Sequence, residues 1–356
     1  MTPESTITSF RSAASATLDA VVHRLYVKRR SLFGLRRGPF GRRYEHLWPF
    51  ANAWSALGTW ASISGPRQTS EVLDLFPTGL AAYHPRGLAA LSSSGPVSFD
   101  SSVARQARGP GEVYFDDNAW LGLALVHHHD ISADARALRL AHRLFDFLVS
   151  GWSADDSWSH PGGIRWKLSP ADTTRNTCSN APVAELGALL HEHTGCEEAL
   201  QWALRIYEWV RATLRGPGGL YRDRISPEGD VESTIWSYNQ GTMIGAGVLL
   251  HRVTGDGTYL EQASETAAAS LAHFGVDSLV GQGAAFNAVF FRNLFLLNQV
   301  APNFSYGALA SAFATAMWER CRDARTGLFL AGGSPLNASA PMIEVYALLA
   351  GAQPHA

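Results

Sequence analysis

The sequence predicts an all-α chain, and more narrowly an (α/α)6 barrel of twelve helices. Three observations carry this reading. Apolar residues recur at intervals of three and four along nearly the whole chain, while alternation with period two is scarce. A unit of two helices repeats, the first rich in small residues and Leu, the second amphipathic. The charged shell is sparse: 17% of the 356 residues are Asp, Glu, Lys or Arg, against about 25% in an average globular chain. With 46% hydrophobic and 11% aromatic residues, such a chain requires a large packed core, which an inner ring of helices sheathed by an outer ring provides. We therefore read 1–356 as one barrel domain.

The first helix is expected over about Ser5–Val27, with Phe10, Ala14, Leu18, Val21, Val22 and Leu25 on one face. The segment after it, His23 to Arg43, holds eight Arg or Lys residues and no acid, with Gly34, Gly38, Pro39 and Gly41, and reads as a basic loop around 28–43. Five helix pairs follow: Trp48–Ile63 with Thr69–Tyr83, Asp116–His129 with Ala133–Val149, Asn180–His193 with Glu197–Leu214, Ser237–Val253 with Thr258–Phe274, and Phe286–Val300 with Tyr306–Arg322. The apolar helix Ala338–Leu349 has no successor, so the N-terminal helix is its expected partner and the sixth pair is split. The turns HHHDISAD, HEHTGCEE and HRVTGDGT each close an apolar helix with polar residues or Gly.

Composition excludes several function classes. A net charge of −2 argues against a general polyanion binder, so nucleic acid is not the expected partner. No apolar run reaches the roughly 18–20 uninterrupted residues of a membrane span; even Phe286–Val300 is interrupted by Arg292, Asn293, Asn298 and Gln299. Residues 1–30 do not read as a secretory signal, and Cys178, Cys196 and Cys321, odd in number and without CxxC spacing, fit neither a disulfide framework nor a zinc site. These features point to a reducing, cytoplasmic setting.

In a barrel of this kind the inner helices start on one face, and the long outer-to-inner connections crowd it. Those connections concentrate the unusual residues: HLWPF at 46–50, EVYFDDNAW at 112–120, GWSADDSWSHPGGIRWK at 151–167, TRNTCSNAP at 174–182, STIWSYNQG at 233–241 and AFNAVFFRN at 285–293. Aromatic faces with amides and carboxylates suit a sugar. Asp116–Asp117 opens an inner helix. Two adjacent carboxyls repel, and free N–H groups at the helix start can hold one ionised while an apolar wall keeps the other protonated. That is the nucleophile and acid of glycoside hydrolysis. The same dipeptide would also serve simply as a cap complementing the helix dipole.

The residues around this pair carry a resemblance. YFDDNAWLGLA at 114–124 resembles the signature of glycoside hydrolase family 76, the α-1,6-mannanases. GGIRWK at 162–167, Asn180 in TCSNAPVAELGALLHEHTG, WSYNQGTMIGAGVLLHRVTGDGTYL at 236–260 and FNAVFFRNLFLL at 286–297 are similar to later blocks of the family, in its order. The resemblance implies an (α/α)6 barrel that cleaves α-1,6-mannosidic linkages with retention and needs no cofactor or metal. Asp116 would then be the nucleophile and Asp117 the general acid and base. It also implies sugar contacts at Asn118, Trp120, Trp166, Asn180, Trp236, Tyr238, Gln240 and Arg292, although each of these also fits capping or core packing. The expected partner is α-mannan or a manno-oligosaccharide, with endo cleavage; a mannan transglycosylase and a non-catalytic α-mannoside-binding protein are the alternatives.

Other motifs weaken on spacing. His127–His128–His129–Asp130 would point in different directions on a helix, and His191–Glu192–His193 lacks the four-residue interval of a zincin. Asp155–Asp156 reads as a solvated loop. A terpene-synthase metal platform would need another acid three or four residues past the pair, where Ala119, Trp120 and Leu121 stand.

Overall fold

The structure, a computed structural model, describes residues 9–38, 41–65, 70–104, 111–153 and 155–352. The chain opens with α1 (Phe10–Leu25), which Ser9 caps by accepting from Ser12 N–H. The strands β1 (Tyr26–Val27), β2 (Leu32–Gly38) and β3 (Gly41–Tyr44) follow, paired antiparallel in the order β1-β2-β3. The segment expected as a basic loop is thus largely a hairpin. Leu32 and Phe33 anchor it in the core, Phe33 against Phe50 and Phe76, while Arg36 and Arg37 take register with Arg43 and Arg42.

The helices α2 (Leu47–Ser64), α3 (Ser70–Leu80) and α4 (Leu88–Ser92) come next, then α5 (Phe115–Ser132) and α6 (Ala135–Val149). After β4 (Arg175–Asn176) stand α7 (Thr177–Thr194) and α8 (Glu197–Leu214). The strands β5 (Arg224–Ile225) and β6 (Val231–Glu232) precede α9 (Ser237–Thr254), α10 (Gly257–His273), α11 (Val276–Gln282), α12 (Ala284–Val300), α13 (Phe304–Cys321) and α14 (Pro335–Ala352). Every predicted helix is present. Among the described residues α4 and α11 are additional short helices within outer-to-inner connections, and β4, β5 and β6 form a second small antiparallel sheet.

The inner ring closes in the order α2, α5, α7, α9, α12, α14 and back to α2, and α1 packs on α14 as the split sixth pair. These six helices are buried nearly all round and are 17 or 18 residues long, about 27 Å each at 1.5 Å per residue. Equal lengths let their starts lie on one face. The outer helices bury one stripe only; α6 turns Leu140, Ala141, Leu144 and Leu148 inward. The three similar turns share one device. Gly195 and Gly255 end α7 and α9 in the left-handed conformation, and Ala133 takes the same shape at φ 54° after α5. No helix among the described residues is long and apolar enough to cross a membrane.

Candidate active site

A cavity of about 540 Å³ opens at the N-terminal end of the inner ring. The second residue of four inner helices points into it: Trp48 of α2, Asp116 of α5, Cys178 of α7 and Tyr238 of α9, joined by Phe286, the third residue of α12. Asp117, Trp120, Tyr114, Trp166, Asp223 and Arg224 complete much of the wall.

Asp116 is held by three donors. Its Oδ1 accepts from the backbone N–H of Asp117 at 3.0 Å; its Oδ2 accepts from Trp166 Nε1 at 3.0 Å and from the Cys178 thiol at 3.5 Å. Both carboxyls meet cavity space but are otherwise enclosed by protein, and loss of hydration is the largest influence on each. Burial lifts Asp116 to about 6 against the pull of its donors. On Asp117 burial and the neighbouring Asp116 charge act in the same direction and hold the carboxyl well above the usual range. The pair therefore separates into one group that ionises first and one that keeps its proton.

Trp166 reaches Asp116 because its backbone is pinned. Phe115 N–H donates to the Trp166 carbonyl and Trp166 N–H to the Thr174 carbonyl, both at 2.9 Å. The glycines before it are required: at Gly163, φ +84°, a Cβ would lie 2.5 Å from the Trp209 ring. The Arg175 guanidinium, buried beneath, donates to the carbonyls of His160, Gly162 and Ser226 and lies 4.6 Å from the Trp158 ring centre. One cation thus ties together the loop bearing Trp166 and the hairpin bearing Arg224.

Three predicted contacts line the cavity: Trp120 on its wall, Trp166 on Asp116, and Tyr238 stacked on Phe286 at 4.0 Å. Trp236 stands outside the wall, edge-on to Phe286 at 5.4 Å. Asn118, Asn180 and Gln240 are corrections, because their amides are spent on backbone. Asn118 Oδ1 accepts from Phe99 N–H at 2.8 Å, while its Nδ2 donates to the carbonyls of Phe99 and Tyr114. Asn180 makes the same clamp on Ile164 and Asn176, and Gln240 on Tyr221 and Trp236. Asn287 donates likewise to Leu279 and Gly283. Each is the fourth residue of its helix and fully buried. Asn180→Ala would leave the buried Ile164 N–H unpaired, while the Ile164 carbonyl keeps the Ser179 hydroxyl, so it is expected to destabilise the fold by about 1–3 kcal/mol, read as a lowered midpoint in chemical unfolding.

Arg292 is also a correction. It is the ninth residue of α12, roughly 12 Å below the mouth, and pairs with Glu344 in the barrel interior, Nε to Oε1 at 3.5 Å. Its charge also pulls down on buried Glu185, whose carboxyl burial still pushes up to about 8. The three histidines of α5 diverge: His127 towards Thr59, His128 edge-on to Trp54, His129 against His193. Asp155 and Asp156 lie on an exposed turn where Asp155 accepts from Ser157.

Cys178, Asp223 and Arg224 were not singled out from the sequence. Burial raises the Asp223 carboxyl, opposed by a hydrogen bond from Asn239 Nδ2 at 3.4 Å. The legible signal was the short hairpin around Pro227-Glu228-Gly229-Asp230, which lays β5 along the cavity rim.

Comparison with known proteins bears on the family and the fold. The sequence model of Glycosyl hydrolase family 76 matches residues 9–334. The mannan endo-1,6-alpha-mannosidase DCW1 of Saccharomyces cerevisiae is 27% identical over 214 residues, covering 52% of this chain and 47% of that protein; the chain thus spans about half the length of this relative. A family 76 mannosidase from Bacteroides thetaiotaomicron superimposes with a TM-score of 0.82 at 21% identity, over 96% of this chain and 98% of that one. An α-1,6-mannanase from Salegentibacter sp. HEL1_6, an inactive variant with two consecutive aspartates changed to asparagine and α-1,6-mannotriose bound, gives 0.78 at 22% identity, over 96% and 99%. With the family pattern matched over nearly all of the barrel, the chain belongs to glycosyl hydrolase family 76.

Proposed function

We propose that this protein is a retaining, endo-acting glycoside hydrolase that cleaves α-1,6-mannosidic linkages. The observation that carries the reading is the unequal environment of Asp116 and Asp117 in one aromatic-lined cavity. The linkage rests on the relatives, a mannan endo-1,6-alpha-mannosidase and an α-1,6-mannanase.

Ionised Asp116 attacks the anomeric carbon. Its Oδ2 already accepts two donors and its Oδ1 one, so a free lone pair suited to attack lies on Oδ1. Protonated Asp117 donates to the departing glycosidic oxygen. The resulting mannosyl ester is hydrolysed when Asp117, now ionised, takes a proton from water, and two inversions give net retention. A neutral sugar gains from stacking on Trp120, Tyr238 or Phe286 while polar groups meet its hydroxyls.

Incubation with linear α-1,6-mannan and product sizing over time tests this. Early shortening of the polymer into mixed oligosaccharides is expected; release of mannose alone would overturn endo cleavage. Chains longer than an added manno-oligosaccharide acceptor would identify transfer in place of hydrolysis. Binding without cleavage across about pH 4 to 8, a range that spans the required protonation states, would identify a binding protein.

A further inference from the structure

Cys178 occupies in α7 the position that Asp116 occupies in α5 and Tyr238 in α9, so three adjacent inner helices aim these side chains at one point. The thiol is 3% exposed. Its S–H donates to Asp116 Oδ2, the oxygen that also accepts from Trp166. On the other side the thiol faces the Tyr238 hydroxyl, and the Tyr238 ring is fixed by its stack on Phe286, 4.0 Å apart at 19°. The thiol thus sits between the Tyr238 hydroxyl and the Asp116 carboxylate and donates to the carboxylate.

We propose that Cys178 is a positioning residue for Asp116: its S–H fills the remaining lone pair of Oδ2 and leaves Oδ1 as the attacking oxygen. The inference rests on Asp116 being the nucleophile. A thiol suits the task because it is a weak donor: it fixes the carboxylate while withdrawing less electron density than a hydroxyl would. Burial and the Asp116 charge keep the thiol well above its ordinary range, so it stays a donor while Asp116 is ionised. The other ionisable groups facing the cavity are Asp117, Tyr114, Tyr238, Asp223, Arg224, His46 and Glu112; of these Tyr238 interacts with the Cys178 side chain and Asp117 with Asp116.

The test compares Cys178→Ala and Cys178→Ser in the full chain, with Asp116→Asn alongside. Cys178→Ala is expected to lower kcat about 5- to 10-fold, as loss of one donor to a charged group does, with KM within about twofold. It should also move the acid limb of kcat/KM to higher pH, because Asp116 loses a donor to its ionised form. Cys178→Ser, which restores a donor, should return that limb to the wild-type position or below. An unmoved limb in Cys178→Ala, or an equal loss in both variants with no shift, would overturn the proposal. If Asp116→Asn keeps turnover, the nucleophile assignment itself fails; if it is inactive and Cys178→Ala has a wild-type profile, only the role of the thiol fails. Should Cys178→Ala not fold, the S–H stretching band assigned by difference against Cys178→Ser supplies the readout. It should rise in frequency in Asp116→Asn, and an unmoved band overturns the proposal.

Discussion

Replacing Asp116 with asparagine is expected to lower the turnover of linear α-1,6-mannan by about 1,000-fold or more, with little change in affinity for manno-oligosaccharides. Asparagine has nearly the shape of aspartate, and with its carbonyl placed at the Oδ2 position it can still accept from Trp166 and Cys178. Its NH2 group then faces the Asp117 N–H where a carboxylate oxygen accepted before, a local mismatch that costs stability but leaves the cavity wall in place. What is lost is the electron pair that forms the mannosyl ester. Because that pair acts in the transition state, the loss falls on kcat and on kcat/KM equally. Initial rates on mannan and calorimetric binding of a manno-oligosaccharide check both halves. Wild-type-like hydrolysis by the variant would end the assignment of Asp116, and a retained configuration in the first product of the wild-type enzyme, read by NMR, supports two displacements over one.

The barrel was legible because its signals are long. Inner helices such as Thr177–Thr194 and Ser237–Thr254 are apolar on nearly all faces and end at a left-handed glycine, so their spacing and turns stand out in one dimension. The strands did not: β4, β5 and β6 are two residues each, too short to show alternation. In β2 and β3 the glycines and arginines masked the two residues, Leu32 and Phe33, that attach the hairpin to the core.

The candidate site was legible to the same degree and for a related reason. A side chain at the second position of an inner helix faces the axis at the mouth, which Asp116 and Tyr238 show, whereas one at the fourth position turns back onto the preceding loop. Asn118, Asn180 and Gln240 were read as sugar contacts because an amide near a helix start has the same chemistry whether it meets a hydroxyl or a peptide. The distinguishing signal was positional recurrence: FDDN, TCSN, SYNQ and AAFN each begin an inner helix and each put an amide fourth. Counting along α12 would likewise have placed Arg292 below the mouth. Cys178 carried no chemical signal of its own; only the register it shares with Asp116 marks it.

Asp117→Asn separates the two halves of the reaction. In the wild-type enzyme Asp116 must be ionised, so kcat/KM rises with pH through its titration near 6; Asp117 must hold a proton, so the rate falls again as pH rises through its own, higher range. A bell-shaped profile on the alkaline side of 6 is the expected result. Asp117→Asn removes the acid, and on mannan, where the leaving group is an alkoxide of high pKa, kcat should fall by about 100- to 10,000-fold. An aryl α-mannoside whose phenolate departs without a proton should still form the ester at a near wild-type rate. Without a base to activate water, the ester then accumulates, giving a burst of phenolate followed by slow turnover. The alkaline limb should vanish from the burst rate while the acid limb of Asp116 remains, because Asp117 is neutral where Asp116 titrates. A surviving alkaline limb would assign the proton to another carboxyl on the cavity wall, with Asp223 the first to examine, since it is half-buried, faces the same space and is itself raised by burial.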